Sequence, residues 1–178
     1  MEPVPIETVR LRLPVLEVGA IDALIAGDAS RLESLTGATF PRPLQPPPLM
    51  DDALPYLRDV LLASHETGPW RPYLMVLRES GDAVGSAGFT GAPDTEGTVT
   101  LGYSVYPVFQ RQGFASEAAE ALTSWALAQP GVRRVRATIP PTHVASQRVV
   151  TLAGFQKTDL FEDDPDEGPV EVWERFRE

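Results

Sequence analysis

Apolar residues recur at two spacings along the chain, every second residue or every third and fourth, and so predict short strands and amphipathic helices. Residues 9 to 15 alternate, with Val9, Leu11 and Leu13 on one face and arginines on the other, which predicts a half-buried first strand. The same patterns predict helices over residues 17 to 26, 51 to 64, 113 to 129 and 145 to 153, and strands over residues 73 to 78, 83 to 90, 98 to 106, 132 to 139, 155 to 161 and 169 to 176.

The order of these elements, β-α-α-β-β-β-α-β-α-β-β, predicts an α+β fold (an α/β sandwich). We expect a single mixed, mostly antiparallel sheet of about seven strands flanked by about four helices. No repeat or linker divides the chain, so residues 1 to 178 are predicted to form one domain. The segment FPRPLQPPP at residues 40 to 48 predicts a stiff connector or lid, because proline lacks a backbone donor. The acidic segment EDDPDEG at residues 162 to 168 predicts a solvated hairpin loop.

Composition then limits the function. The 178 residues contain no cysteine and carry a formal net charge of -10. The absence of cysteine excludes a disulfide scaffold, a thiolate metal site and a cysteine nucleophile, and the negative net charge argues against binding nucleic acid. Acidic residues near the N-terminus and the lack of a long apolar window indicate neither a secretory signal nor a membrane segment, so we expect a cytoplasmic protein. His65 has no helical ligand partner, and no metal site is predicted.

The most informative segment runs from Thr98 to Ala119, where a strand feeds a helix through the turn QRQGFA at residues 110 to 115. The first turn of such a helix exposes unpaired amides at the positive end of the helix dipole, which suits a pyrophosphate. Gly113 permits a close approach of the main chain, and Arg111 adds positive charge. The turn has neither a Walker sequence nor the dinucleotide glycine triplet. On these grounds alone, packing explains Gly113 better than phosphate binding does.

The turn QRQGFA, with LGYSVYP before it and SEAAEAL after it, resembles the acetyl-CoA-binding motif of the GCN5-related N-acetyltransferases (GNAT superfamily), whose pattern is Gln/Arg-x-x-Gly-x-Gly/Ala. The segment THVASQRVVTLAGF at residues 142 to 155 is similar to the following helix of the RimJ/RimL-type branch, which acetylates N-terminal amines of ribosomal proteins. VRLRL at residues 9 to 13 resembles the first strand of that branch, so the resemblance covers nearly the whole chain.

The resemblance implies that acetyl-CoA is the cosubstrate, that its pantetheine arm lies between two splayed strands, and that an amine attacks the thioester directly without a metal. Main-chain groups of the strand at residues 98 to 106 would contact the arm, and the turn at residues 110 to 115 would hold the pyrophosphate. The cofactor-binding residues implied in this way are Tyr103, Ser104, Val105, Gln110, Arg111, Gln112, Gly113, Phe114, Ala115, Ser116, His143 and Ser146.

The catalytic residues are less defined, because two positions depart from the family pattern. Val150 stands where many members carry the tyrosine that acts as general acid, and Thr100 stands where many carry a glutamate. Ser146 is the candidate that would protonate the thiolate, although it could equally serve as a local helix cap. His143 replaces the usual asparagine and is either a proton shuttle or an exposed loop residue. The base stays open between solvent and a loop carboxylate, Asp94 or Glu96.

We therefore expect an N-acetyltransferase acting on a primary amine, most like a protein N-terminal amine. The acceptor could also be a small amine, such as an aminoglycoside, polyamine or amino acid, and a non-catalytic acyl-CoA sensor is the alternative from another class. The sequence leaves a homodimer open. Arg133 to Arg136 could contact the 3′-phosphate of CoA or form a salt-bridged surface, and Trp70 could belong to the core or to the acceptor pocket.

Overall fold

The computed structural model describes residues 5–48, 50–51, 53–63 and 68–178. The predictions for His65, for the first four residues and for Asp52 and Ser64 of the helix predicted over residues 51 to 64 lie outside the described residues.

A single mixed sheet with helices on both faces forms the body of the described structure. The strands lie in the order β1-β2-β3-β4-β5-β6-β8-β7, and only β5 and β6 run parallel. The elements are β1 (Ile6–Glu7), β2 (Leu11–Leu13), α1 (Val18–Ala26), α2 (Ala29–Thr36), α3 (Ala53–Ala63), β3 (Pro72–Leu77), β4 (Ala83–Phe89), β5 (Thr98–Val105), a 3₁₀ turn (Pro107–Phe109), α4 (Phe114–Ala128), β6 (Arg134–Ile139), α5 (Val144–Leu152), β7 (Gln156–Asp164) and β8 (Gly168–Phe176).

The predicted α+β fold with a mostly antiparallel sheet is confirmed, but the described residues form eight strands and five α-helices, one more of each than expected. The additional helix, α2, buries only Leu32, so its apolar periodicity is too weak to detect. Its ends were visible in the sequence: Asp28 caps the first turn by accepting from the Arg31 amide at 3.0 Å, and Gly37 adopts a left-handed conformation after the last turn.

The N-terminal strand is shorter than the alternation predicted. β2 begins at Leu11, and Val9, expected on the buried face, is 89% exposed in the turn that joins β1 to β2. At the other end of the chain, β7 extends to Asp164, so part of the acidic segment expected as a loop is an exposed edge strand. The turn residues reverse the chain between β7 and β8.

Two apolar layers, one on each side of the sheet, make up the core. Helices α4 and α5 pack on one face, where their residues join the inward side chains of β2 to β6 in a large cluster. Helices α1 to α3 cover the other face at β3 and β4 in a second cluster, which includes Leu32, Phe40 and Leu54. The proline-rich connector at residues 40 to 48 packs next to this second layer. The connector and helices α4 and α5 therefore lie on opposite faces of the sheet.

The sheet parts between β5 and β6. Only three residue pairs join these strands, from Thr98 opposite Arg134 to Thr100 opposite Arg136. Beyond them β5 stays paired with β4 as far as Val105, while β6 stays paired with β8 as far as Ile139. A gap therefore opens toward the end of the sheet where α4 begins.

A register shift of β3 against β4 marks the middle of the sheet, because Met75 lies opposite Gly85 whereas Val76 lies opposite Ala83. At Gly85 the main chain of β5 comes so close that an added Cβ would lie 2.1 Å from the Ser104 carbonyl oxygen. Gly85 thus allows β4 and β5 to approach at the edge of the gap.

Replacing Gly85 with alanine should destabilise the fold, since backbone atoms cannot yield to the new methyl group. We expect Gly85→Ala to lower the free energy of unfolding by about 1–3 kcal/mol, as overpacking does. Gly102→Ala is the matched control, because a Cβ at Gly102 meets no atom within 4 Å. Urea unfolding monitored by circular dichroism measures both, and equal stability of the two variants would contradict the close approach.

Candidate functional site

The edge of β5 that faces the gap presents main-chain groups of alternate residues. Thr90 donates its amide to the Thr100 carbonyl at 3.1 Å, and Tyr106 donates its amide to the Val84 carbonyl at 2.9 Å, so the even-numbered residues of β5 bond to β4. Because successive residues of a strand point their N–H and C=O groups to opposite sides, those of Tyr103 and Val105 face the gap. The main chain of Ser104 faces β4 instead. Of the three consecutive residues expected to contact the pantetheine arm, only Tyr103 and Val105 therefore present their main-chain groups to the gap.

Tyr103 spans the gap to helix α5. Its hydroxyl donates to the Ser146 carbonyl at 3.0 Å, and burial raises the pKa of this phenol to about 12, so it stays a proton-bearing group at neutral pH. On the first turn of α5 the Ser146 Oγ lies 3.2 Å from Nδ1 of His143, which is the N-cap residue of the helix. The structure therefore brings Ser146, His143 and Tyr103, three residues for which the resemblance implies contact with the cofactor, together at one side of the gap.

The turn before α4 has the geometry of an anion site. Gly113 is the N-cap residue with a φ of 82°, and no described side chain caps the first turn of the helix. The amides at the start of α4 are thus left to a ligand, at the positive end of a 15-residue helix. Gln110, Arg111 and Gln112 are exposed, and Gln110 donates its side-chain amide to the Val105 carbonyl at 3.0 Å, which ties the turn to the mouth of the gap.

The gap and the turn together fit the acetyl donor that the resemblance implies. The turn offers helix amides to a pyrophosphate, and the adjoining gap offers the unpaired strand edge of Tyr103 and Val105 to an amide-containing arm. Among the predicted residues, Phe114 is buried under the turn, and Ala115 and Ser116 are half-buried in the first turn of α4.

The other positions considered for the general acid and the general base either lack a suitable side chain or have one that is already bonded to other protein groups. Val150 is fully buried in the core, so the helix carries no hydroxyl at that position. Asp94 accepts from the amides of Thr98 and Glu96, and the bond from Thr98 above all holds the pKa of its carboxyl below the ordinary value. The Glu96 carboxylate pairs with Arg134 at 2.6 Å. Both loop carboxylates serve the turn before β5, which weakens their case as bases.

Arg134 and Arg136 lie on the face of the sheet opposite α4, since their neighbours Val135 and Ala137 are buried against the α4 layer. Arg136 pairs with Glu174 at 2.8 Å and with Glu162 at 2.7 Å. The two arginines therefore form the salt-bridged surface, and the alternative contact with a CoA phosphate loses its support.

Trp70 belongs to the core. Its ring contacts Phe89 at 5.2 Å and Trp125 at 5.1 Å between centroids, and Trp125 lies on α4. The ring thus packs on the α4 side of the sheet. Within the described residues no group of three or more His, Asp or Glu side chains is arranged to hold a metal ion. None of the described helices combines the length and apolar character needed to cross a membrane.

The connector covers β5 from the face opposite α4. The Ser104 hydroxyl donates to the Pro48 carbonyl, and the Tyr106 hydroxyl donates to the Gln45 carbonyl at 2.9 Å. Next to this contact Gly102 is exposed, with open space where a side chain would project. Among the described residues the surface at Gly102 is therefore open, on the face of the sheet opposite α4.

Two contacts at the turn escaped the sequence analysis. Arg10, read only as the polar face of the first strand, donates to the Gln112 carbonyl at 2.9 Å and to Glu117 at 2.6 Å. The partners lie more than one hundred residues apart along the chain, as the separation of 102 positions between Arg10 and Gln112 shows. No local pattern in one sequence signals such a contact.

Charge reversal at the turn tests the anion site. Ala115→Glu should abolish binding of acetyl-CoA, because the new carboxylate competes for the helix amides and repels phosphate, while a Glu in the first turn favours the helix. Ser124→Glu adds the same charge to an exposed position of the same helix and should bind normally. Calorimetric titration gives both affinities. An unchanged affinity of the Ala115 variant would remove the turn from the site.

The comparisons with known proteins agree with this geometry. Residues 10–156 match the family described as acetyltransferase (GNAT) domain. The Bacillus subtilis (strain 168) protein named uncharacterized N-acetyltransferase YjdG is 30% identical over 84% of this chain and 88% of its own length.

Two solved structures share the fold. The ribosomal-protein-S5-alanine acetyltransferase from Vibrio fischeri superposes with a TM-score of 0.67 at 15% identity, covering 98% of this chain and 97% of that one. The aminoglycoside acetyltransferase AAC(6')-Ib in complex with coenzyme A and kanamycin has a TM-score of 0.61 at 16% identity, covering 93% and 94%. The chain belongs to the GNAT family and is an acetyl-CoA-dependent acetyltransferase.

Proposed function

We propose that the protein transfers the acetyl group of acetyl-CoA to a primary amine, most like the N-terminal amine of a protein. The observation that carries the proposal is the gap between β5 and β6, which is bordered by the α4 turn and open on the opposite face at Gly102. A donor held from one side and an acceptor entering from the other would meet at the unpaired edge of β5. Such an arrangement aligns two reactants without a covalent enzyme intermediate.

In this proposal the donor is held along one continuous surface. The amides at the start of α4 and the side chain of Arg111 hold the pyrophosphate, and the edges of Tyr103 and Val105 hold the pantetheine arm. His143 and Ser146 border the same arm from α5. Acetyl-CoA supplies an activated thioester, and the main-chain N–H of Val105 is the nearest candidate to stabilise the oxyanion that develops on its carbonyl.

Ser146 is proposed as the proton donor to the departing thiolate. A serine hydroxyl is a weak acid, and the contact with Nδ1 of His143 gives it a partner from which the proton can be replaced. The amine reaches the site neutral by losing one proton to solvent, and its nitrogen loses a second proton to solvent after the attack, because the carboxylates of Asp94 and Glu96 are bonded to other groups at the opposite end of β5.

Removing the Ser146 hydroxyl should separate chemistry from binding. Ser146→Ala is expected to lower kcat by about 10²- to 10⁴-fold, the usual contribution of a general acid, with the KM for acetyl-CoA nearly unchanged. Thr151→Ala is the control, because it removes a hydroxyl that bonds the Gln147 carbonyl on the same helix. Release of free thiol with a peptide acceptor is the assay. If the Ser146 variant turns over at the wild-type rate, water rather than Ser146 protonates the thiolate.

The opening at Gly102 is proposed as the path of the acceptor. Gly102→Leu should raise the KM for the amine at least about tenfold, because a side chain would fill the opening, whereas calorimetric affinity for acetyl-CoA should stay unchanged since the Gly102 main chain faces β4. Gly91→Leu, at another glycine with open space, is the control. Equal KM values in both variants would place the acceptor path elsewhere.

A panel of acceptors separates the substrate classes. The similarity of residues 142 to 155 to the RimJ/RimL-type branch favours a peptide N-terminus, and the fold shared with an aminoglycoside acetyltransferase makes a small amine the second candidate. Free and N-blocked peptides, polyamines and aminoglycosides distinguish them by thiol release. Binding of acetyl-CoA without release across the whole panel would favour the sensor.

The proposal also includes one domain over residues 1 to 178, a cytoplasmic location and, as an open point, a homodimer.

A further inference from the structure

A cluster of charged and polar side chains fixes the turn between β1 and β2 against the first turn of α4. The Glu117 carboxylate accepts from the Thr8 hydroxyl at 2.5 Å, from the Arg10 amide at 2.8 Å and from Arg10 Nε at 2.6 Å. Although partial burial alone would raise the pKa of Glu117, the hydrogen bonds from Thr8 and Arg10 lower it. Glu117 is therefore a fixed negative charge inside the helix turn that is proposed to bind phosphate.

The Arg10 side chain continues from Glu117 to the turn itself. Its Nη1 donates to the Gln112 carbonyl at 2.9 Å, and its guanidinium carbon lies 4.5 Å from the centre of the Phe114 ring. A Cβ on Gly113 would lie 3.3 Å from Arg10 Nη2, so the glycine also makes room for the guanidinium. One side chain thus contacts the residues before, at and after the helix N-cap.

The turn requires such a support because its conformation is unfavourable by itself. Arg111 and Gly113 both have positive φ angles, 63° and 82°. The left-handed conformation is unfavourable for a non-glycine residue such as Arg111, and Arg111 is exposed, so little packing compensates. Two other side-chain hydrogen bonds involve the turn, and both come from its own residues. Gln110 donates to the Val105 carbonyl, and Gln112 donates to the Val108 carbonyl.

Electrostatics gives Arg10 a second effect. An uncompensated carboxylate at Glu117 would oppose a pyrophosphate that binds at the same helix end. The bonds from Arg10 to Glu117 neutralise that charge, and the remaining N–H groups of the guanidinium add positive potential beside the turn.

We propose that Arg10 is a positioning residue of the acetyl-CoA site. It holds the turn at residues 110 to 113 in its binding conformation through the Gln112 carbonyl, and it cancels the charge of Glu117 beside the pyrophosphate. This inference rests on the proposed donor site. It assigns a role in cofactor binding to the first part of the chain, which the motif at residues 110 to 115 does not include.

The test compares affinities for acetyl-CoA by calorimetry in full-length variants. Arg10→Ala should weaken binding at least about tenfold, since it removes charge-assisted bonds that fix the turn and leaves Glu117 unpaired. Arg78→Ala is the matched control: Arg78 donates to the Thr8 carbonyl at 2.7 Å in the same corner, is similarly exposed and carries the same charge, but bonds neither Gln112 nor Glu117. It should bind normally.

The double variant Arg10→Ala with Glu117→Gln separates the two effects. Removing the unpaired carboxylate should recover part of the lost affinity, a rescue that a general loss of stability would not produce. Affinity of Arg10→Ala equal to wild type, or equal losses in Arg10→Ala and Arg78→Ala, would overturn the inference. If Arg10→Ala does not fold, Arg10→Lys against Arg78→Lys decides in the same way. Failure of the wild type to bind acetyl-CoA would instead overturn the proposed function.

Discussion

The parting of β5 from β6 after three residue pairs is the constraint on which the rest of the structure depends. It leaves the main chains of Tyr103 and Val105 without a neighbouring strand on that side, although the Val105 carbonyl accepts from the Gln110 side chain. Each strand is held away by its other partner, because β5 continues along β4 and β6 continues along β8. One edge of β5 is thus left open beside the turn before α4.

The same parting explains why the binding elements occur in this order. Because β5 leads directly into the turn and α4, the helix N-terminus opens at the wide end of the gap, and because β6 leads into α5, the first turn of that helix borders the opposite side. Strand edge, helix amides and the Ser146 hydroxyl therefore converge without any long loop. The sheet, with a helical layer on each face, then separates the side of α4 from the side of the connector and Gly102.

The sequence predicted what local periodicity and capping encode. Seven of the eight strands, the helices with clear apolar stripes and the glycine turn before α4 were recognisable, and the family motif pointed to the acetyl donor. Helix α2 was missed because a two-turn polar helix with one buried leucine has no stripe. The strand edge that faces the gap, and with it the different position of Ser104, depends on pairing across the sheet. The contact of Arg10 with Gln112 depends on tertiary structure alone.

The net charge of the chain does not tell where the charged groups lie in the structure. The net charge of -10 argues against general binding of polyanions, yet binding one pyrophosphate depends on a few groups within a few ångströms. Arg134 and Arg136, the obvious basic cluster, are neutralised by Glu96, Glu162 and Glu174 on the far face of the sheet. What remains at the turn is a helix dipole, Arg111 and the side chain of Arg10. An acidic protein can therefore bind an anionic cosubstrate, because its acids there are paired.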